Sequence, residues 1–336
     1  MLRHCIADGV EMTSPGGSEY NVACALAAIG TNAAWISSLP SPKVDDETFS
    51  EILSAANAAG VWTGDLVRTS SRTIGTYRVD TDSKTVEYDR DDSAFAHLEP
   101  TDLHWRELLT GARWLVLSGI TPLLGEKPLA AWSQALTFAE LDGTRVALDL
   151  NHRPALGSLQ DLWAIISPRI RMFHVLVLSP DSLAGIAVLE GLPEPETYAD
   201  SIETLTELRR RWLIPHLCCC FKRPEGENEN GVPLQRRWSI VSHAFGTDST
   251  EQEAIVHRLV EALGGGDAWL AGFLDGLMEH GHGPASALLA AMRGDALAGL
   301  AQQTPGDVAD VSRSQLDEIE ENRLESSGLD RIVFIG

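Results

Sequence analysis

From residue 101 onward, short apolar runs alternate with stretches of helical periodicity. The runs 114–117, 146–150, 175–178 and 216–221 read as strands. The segments 101–110, 128–141, 159–166 and 197–212 carry apolar residues at helical spacing. Strands that are apolar throughout are buried on both faces. Alternating with helices, they predict an α/β fold with a parallel sheet covered on both sides. Nearer the start, Val22, Ala25, Leu26 and Ile29 predict a helix over 19–29, stopped by Gly30. A short strand over 33–37 follows. Phe49, Ile52, Leu53 and Ala56 then predict a helix over 46–59, ended by Gly60.

One stretch breaks this rhythm. Residues 74–79 and 85–90 flank Asp80-Thr81-Asp82-Ser83-Lys84, which reads as a polar hairpin. Two polar strands interrupting an alternating chain predict a small sheet standing off the main body, such as a lid. Residues 225–231 (EGENENG) read as a polar loop. There is no internal repeat and no long linker.

Composition limits the function classes. Apolar residues make up 44% of the 336, enough for a sizeable core. No apolar run reaches the roughly 20 residues of a membrane span, and Met1-Leu2-Arg3-His4-Cys5 holds no apolar signal segment. Five cysteines without a C-x-x-C pair read as reduced thiols, so a cytoplasmic location is expected. The net charge of −22 argues against a nucleic-acid partner. None of the four lysines (Lys43, Lys84, Lys127, Lys222) follows a glycine, so there is no Walker A loop. No G-x-S-x-G or H-E-x-x-H occurs either. His280 and His282 in E-H-G-H-G fit a helix end followed by glycine better than a metal site.

The most informative local sequence is Leu263-Gly264-Gly265-Gly266-Asp267-Ala268-Trp269, where three glycines precede an apolar helix over 267–278. Bare backbone N–H groups and the positive end of a helix make an anion site. Asp267 then stands where a carboxylate is electrostatically unfavourable unless it accepts a proton from an attacking hydroxyl. The alternative is an ordinary first-turn acid.

This turn resembles the G-[AG]-G-D signature of the ribokinase-like (PfkB) carbohydrate kinases. Pro15-Gly16-Gly17-Ser18-Glu19-Tyr20-Asn21-Val22-Ala23 is similar to that family's G-G-x-x-x-N-x-A segment. Within the family the chain looks most like the 2-keto-3-deoxygluconate kinases. Tyr88-Asp89-Arg90-Asp91-Asp92-Ser93-Ala94 resembles their Y-x-R-x-x-S-A, and Thr76-Tyr77 resembles a tyrosine one lid strand earlier. Asp149-Leu150-Asn151-His152-Arg153-Pro154 resembles their D-x-N-x-R-P, and Thr304-Pro305-Gly306-Asp307 their T-x-P-G-D.

The resemblance implies a ribokinase-like three-layer sandwich with a mostly parallel central sheet and a β-sheet lid. It implies one kinase domain over residues 1–320, lid strands at about 1–17 and 72–92, and a tail over 321–336. It also implies ATP and Mg²⁺, with no residue assigned to the metal, and a homodimer formed through the lid. Asp267 would be the base, and Gly264, Gly265 and Gly266 would hold phosphate charge. Gly17, Asn21, Tyr77, Tyr88, Arg90, Arg153 and Asp307 would line the substrate site, while Asn151, Lys222 and Gly226 would lie on the nucleotide side. Arginines suit an acidic sugar because guanidinium pairs bidentately with carboxylate. The implied reaction is phosphorylation of the primary hydroxyl of 2-keto-3-deoxygluconate. A kinase for a neutral sugar of the fructose or ribose type, and a relative that binds without turnover, are the alternatives.

Four departures from the family pattern accompany the resemblance. Relatives begin with a core strand and a G-E segment ahead of the match to Met1-Leu2-Arg3, so a central strand is expected either to be missing or to lie upstream of this start. Glu261-Ala262-Leu263 replaces the usual residues before the glycines, and periodicity over 251–263 reads as helical where the family is extended. Lys222-Arg223-Pro224-Glu225-Gly226 lacks the first glycine of K-x-G-x-x-G, the loop that borders the adenine. Residues 37–44 lack the G-D-D-x-x-G turn, of which Asp45-Asp46 is the remnant.

Overall fold

A computed structural model describes residues 1–7, 10–64, 67–69, 71–80, 85–281 and 283–327. The hairpin turn at 81–84, His282 and the last nine residues of the expected tail lie outside the described residues. The chain runs β1 (Leu2–Ala7), β2 (Val10–Pro15), α1 (Ser18–Ala28), β3 (Ser38–Pro40), α2 (Pro42–Ala58), β4 (Val67–Thr69), β5 (Thr76–Asp80) and β6 (Thr85–Asp89). It continues α3 (Trp105–Leu108), β7 (Trp114–Ser118), α4 (Glu126–Asp142), β8 (Arg145–Asp149), α5 (Leu159–Ile166), β9 (Val175–Leu178), α6 (Pro180–Leu189), α7 (Tyr198–Trp212) and β10 (His216–Glu227). It ends β11 (Pro233–His243), β12 (Gly246–Ser249), β13 (Ile255–Arg258), α8 (Gly265–His280), α9 (Ser286–Ala301) and α10 (Arg313–Ser327). The last helix runs past residue 320, the expected end of the kinase domain, into the expected tail.

The main sheet has the order β12-β11-β10-β9-β8-β7, with β13 also pairing β11. Strands β7 to β10 are parallel, and the β11 hairpin returns antiparallel. Alternation along the strands divides the core into two layers. Val146, Leu148, Leu176, Leu178, Leu217 and Cys219 pack on one face with Trp132 of α4, Leu162 of α5, Ile186 of α6 and Leu205 of α7. Ala147, Val175, Val177 and Cys218 pack on the other with Val22 of α1, Trp269 and Phe273 of α8, and Leu297 of α9. The molecule is thus the expected α/β sandwich of three layers. All five cysteines are free thiols. Among the described residues, no helix is long and apolar enough to cross a membrane.

A second sheet, β2-β1-β5-β6, comes from the polar hairpin and the first two strands. Local sequence anticipates most elements but misplaces several. The expected helix over 101–110 is broken into a turn at Pro100–Asp102 and the short α3. The strand expected at 33–37 lies at Ser38–Pro40, preceded by a single bridge between Ala34 and Trp62. The helical periodicity over 251–263 gives way to β13, because sheet pairing of 255–258 with 234–237 satisfies the backbone. The polar segment 225–231 is partly strand, since β10 runs to Glu227 against β11 with a bulge between Pro224 and Glu227.

Among the described residues, β7 pairs only with β8, so its outer side is a sheet edge. Trp114, Leu115, Val116 and Leu117 line a cavity of about 800 Å³ that also receives residues of α1, the small sheet and the start of α8.

Candidate active site

The site forms where the starts of α1 and α8 meet. Gly264 caps α8 with φ 73°, and no side chain caps that helix. A Cβ at 264 would overlap the Asp307 carbonyl, so both dihedral and space call for glycine there. Asp267 lies in the first turn and does not cap the helix. Its Oδ1 accepts from Ser18 Oγ at 2.7 Å and its Oδ2 from Asn21 Nδ2 at 2.8 Å. Burial pushes its pKa up to about 7, with the charges of Asp149 and Asp307 adding to the rise and the two hydrogen bonds opposing it. A carboxylate with that affinity for protons is suited to general-base work near neutrality.

Ser18 also accepts from Asn151 Nδ2 at 3.0 Å. Asn151 sits at the end of β8 with φ 42°, a left-handed conformation that asparagine tolerates. Its backbone N–H donates to Asp149 Oδ1 at 3.0 Å. Asp149 is raised to about 6 by burial, with Glu19 adding like charge. Glu19 lines the same cavity, accepts from Thr121 Oγ1 at 3.0 Å, and is also pushed up by burial. Ser18, Glu19 and Asp149 were not picked out from sequence as site residues. Ser18 and Glu19 lie inside the G-G-x-x-x-N segment and Asp149 two residues before Asn151, so the segments flagged them even though no role was assigned.

On the small-sheet side, Tyr77 is buried and donates from its hydroxyl to Asp307 Oδ2. It stacks on Tyr88, ring centroids 5.8 Å apart. Arg90 is buried and lies 4.3 Å over the Tyr88 ring. Arg3 joins this group, paired with Glu261 and 3.3 Å from Asp307 Oδ1. Asp307 therefore already has two partners in the free protein. Gly17 precedes α1, and Gly17, Asn21, Tyr77, Tyr88, Arg90, Asn151, Arg153, Gly264, Asp267 and Asp307 all border the one cavity.

Lys222 and Gly226 fall outside that lining. Both belong to β10, paired with β11 where a loop had been expected, and Gly226 is exposed at the bulge. Lys222 is still within electrostatic reach. Its side chain is exposed, yet the protein packed around it, then Arg237 and Arg153, hold its pKa below the ordinary lysine value. Arg90 is lowered by burial, with Arg153 acting in the same direction. Among the described residues, Arg90, Arg153 and Lys222 form no salt bridge; Arg90 is buried, Arg153 and Lys222 are exposed, and Arg153 lies in electrostatic reach of Asp149 and Asp307. Arg90 and Arg153 border the cavity together, and two cations on one cavity wall favour an anion there.

Comparison with known proteins shows what the whole chain is similar to. A sequence model of the pfkB family of carbohydrate kinases matches residues 10–170. The 2-dehydro-3-deoxygalactonokinase of Haloferax volcanii is 27% identical over 322 residues, 94% of this chain and 89% of that one. The 2-dehydro-3-deoxygluconokinase of Bacillus subtilis is 24% identical, over 87% of this chain and 82% of its own. The crystal structure of a 2-dehydro-3-deoxygluconokinase from Thermotoga maritima superposes with a TM-score of 0.82 at 23% identity, covering 96% and 95% of the two chains. The glycine turn, the Ser18-Asn21-Asp267 cluster and nearly full-length likeness point the same way: the chain is similar to the pfkB family of carbohydrate kinases.

Proposed function

We propose that this sugar kinase transfers phosphate from ATP to the primary hydroxyl of an acidic sugar of the 2-keto-3-deoxyhexonate class, 2-keto-3-deoxygluconate above all. The carrying observation is one cavity bordered by Arg90, buried and stacked on Tyr88, by Arg153 and by the raised carboxylate of Asp267. Arg90, stacked on Tyr88, offers a rigid cation for the sugar carboxylate. The buried Oδ1 of Asn21 has no partner and can accept from a sugar hydroxyl. Asp267 takes the proton of the attacking hydroxyl, while Ser18 and Asn21 hold its two oxygens in place. The open N-terminus of α8 and Gly264 receive the transferring group. Asp149, beside the glycine turn, is of the chemistry that holds Mg²⁺, which would neutralise phosphate charge there.

One observation favours a second reading, a sugar-acid binder without turnover. Residues 222–227 form paired strand where relatives carry a glycine-containing loop beside the adenine.

A coupled ADP-release assay with Mg-ATP separates these readings. Both 2-keto-3-deoxy epimers should turn over or one should, with fructose and ribose inert. Turnover of the neutral sugars alone overturns the acidic-substrate reading. Binding of the keto-deoxy acid without ADP release supports the binder.

A further inference from the structure

Arg237 is a buried cation that the reaction described above does not use. It sits on β11 opposite Lys222 of β10 and Ile255 of β13, with 4% of its surface exposed. Its Nη1 donates to Gln302 Oε1 at 2.8 Å, and the same oxygen accepts from Gln235 Nε2 at 2.7 Å. Its Nε has no partner. The carboxylate in electrostatic reach is Asp295, whose oxygens accept from Thr250, Ser239 and Trp269 and which lies 3.9 Å from Arg323. A buried cation without a contacting counter-ion is costly unless an anion answers it.

The place of that cation is specific. A Cβ on Gly265 would stand 2.7 Å from Gln302 Cδ and 3.0 Å from Arg237 Nη1, so the guanidinium lies directly under the first turn of α8. Gln302 also grips the segment entering that turn. Its Nε2 donates to the Ala262 carbonyl at 3.1 Å, and its own carbonyl accepts from the N–H groups of Val260 and Glu261.

We propose that Arg237 is a positioning residue for the polyphosphate received at the α8 N-terminus, bracing Gln302 against Gly265 and setting a fixed positive charge behind the glycine turn. This rests on the kinase reading for the identity of the anion. Its test uses a probe that does not depend on turnover: calorimetric binding of inorganic tripolyphosphate, alongside KM for ATP and for the sugar acid.

In Arg237→Gln, tripolyphosphate binding should weaken and KM for ATP should rise, each by about 10-fold, with the sugar KM within about twofold. Arg237→Lys should recover most of the loss. Gln302→Glu keeps the arginine but gives it a carboxylate partner, and should reproduce the loss even if Arg237→Gln fails to fold. An equal rise in both KM values, unchanged tripolyphosphate affinity in either folded variant, or a lysine variant no better than the glutamine one overturns the proposal. Wild-type protein that binds tripolyphosphate but phosphorylates no sugar leaves the proposal standing and removes the kinase reading. Wild-type protein that binds no tripolyphosphate removes the proposal.

Discussion

Asn21 donates its side-chain amide to Asp267 Oδ2 at 2.8 Å across 246 residues of chain, while its own Oδ1 stays buried without a partner. That single contact joins the two glycine-containing segments of the sequence. It fixes the carboxylate and leaves a free acceptor beside it for a ligand.

Asp267→Asn should lower kcat by about 10²–10⁴-fold with the sugar KM nearly unchanged, as expected for loss of a general base. Steady-state kinetics with the keto-deoxy acid check it. A fall of less than about tenfold would assign the base elsewhere.

The same substitution should stabilise the fold at pH 8. Asp267 has a folded pKa of about 7, above its unfolded value. Its ionisation on the folded protein therefore opposes folding increasingly as pH rises through that range, and no penalty remains where both states are protonated. Thermal melts should show Asp267→Asn more stable by ~1–3 kcal/mol at pH 8 and by clearly less at pH 5.

The acidic limb of kcat/KM should fall near pH 7. The charge on Asp149 helps raise Asp267, so Asp149→Asn should move that limb to lower pH. Profiles of wild type and variant, taken over the same pH range and normalised to their plateaus, make the comparison.

Arg90→Ala should raise KM by about 10–100-fold for the sugar acid and by much less for fructose or ribose, because a charge-assisted pair is lost only for the acid. Equal effects on acidic and neutral sugars would show Arg90 to be a packing residue against Tyr88.

Gly264→Ala should destabilise the fold by roughly 2–4 kcal/mol, since alanine is strained in the left-handed region and its Cβ meets the Asp307 carbonyl. Urea denaturation measures this directly.

How far the sequence could be read differed from element to element. The strand 175–178 and the helix 159–166 were legible to the residue, because each is a short apolar segment with clean ends. The helix α5 also begins with a Ser158–Asp161 capping box. Over 251–263 periodicity and the family resemblance disagreed, and the extended reading holds at 255–258: the apolar spacing of Ile255, Leu259 and Leu263 is helical, but the hydrogen-bond partners of 255–258 lie on β11, remote in sequence. Glycine-rich segments marked Gly264, Asp267, Gly17 and Asn21, since the need for bare backbone beside an anion leaves a local signature.

Local sequence thus determined the alternation of strands and helices, the polar hairpin and the two glycine-containing turns, because periodicity and backbone freedom are properties of neighbours along the chain. Only the tertiary structure decided that Ser18 and Asn21 hold one carboxylate with Asn151 bonded to Ser18, and that Tyr77 and Arg3 already occupy Asp307. It alone set Arg237 beneath Gly265. Burial and through-space charge arise from segments remote in sequence, and these raise Asp267 and lower Arg90 in the same cavity.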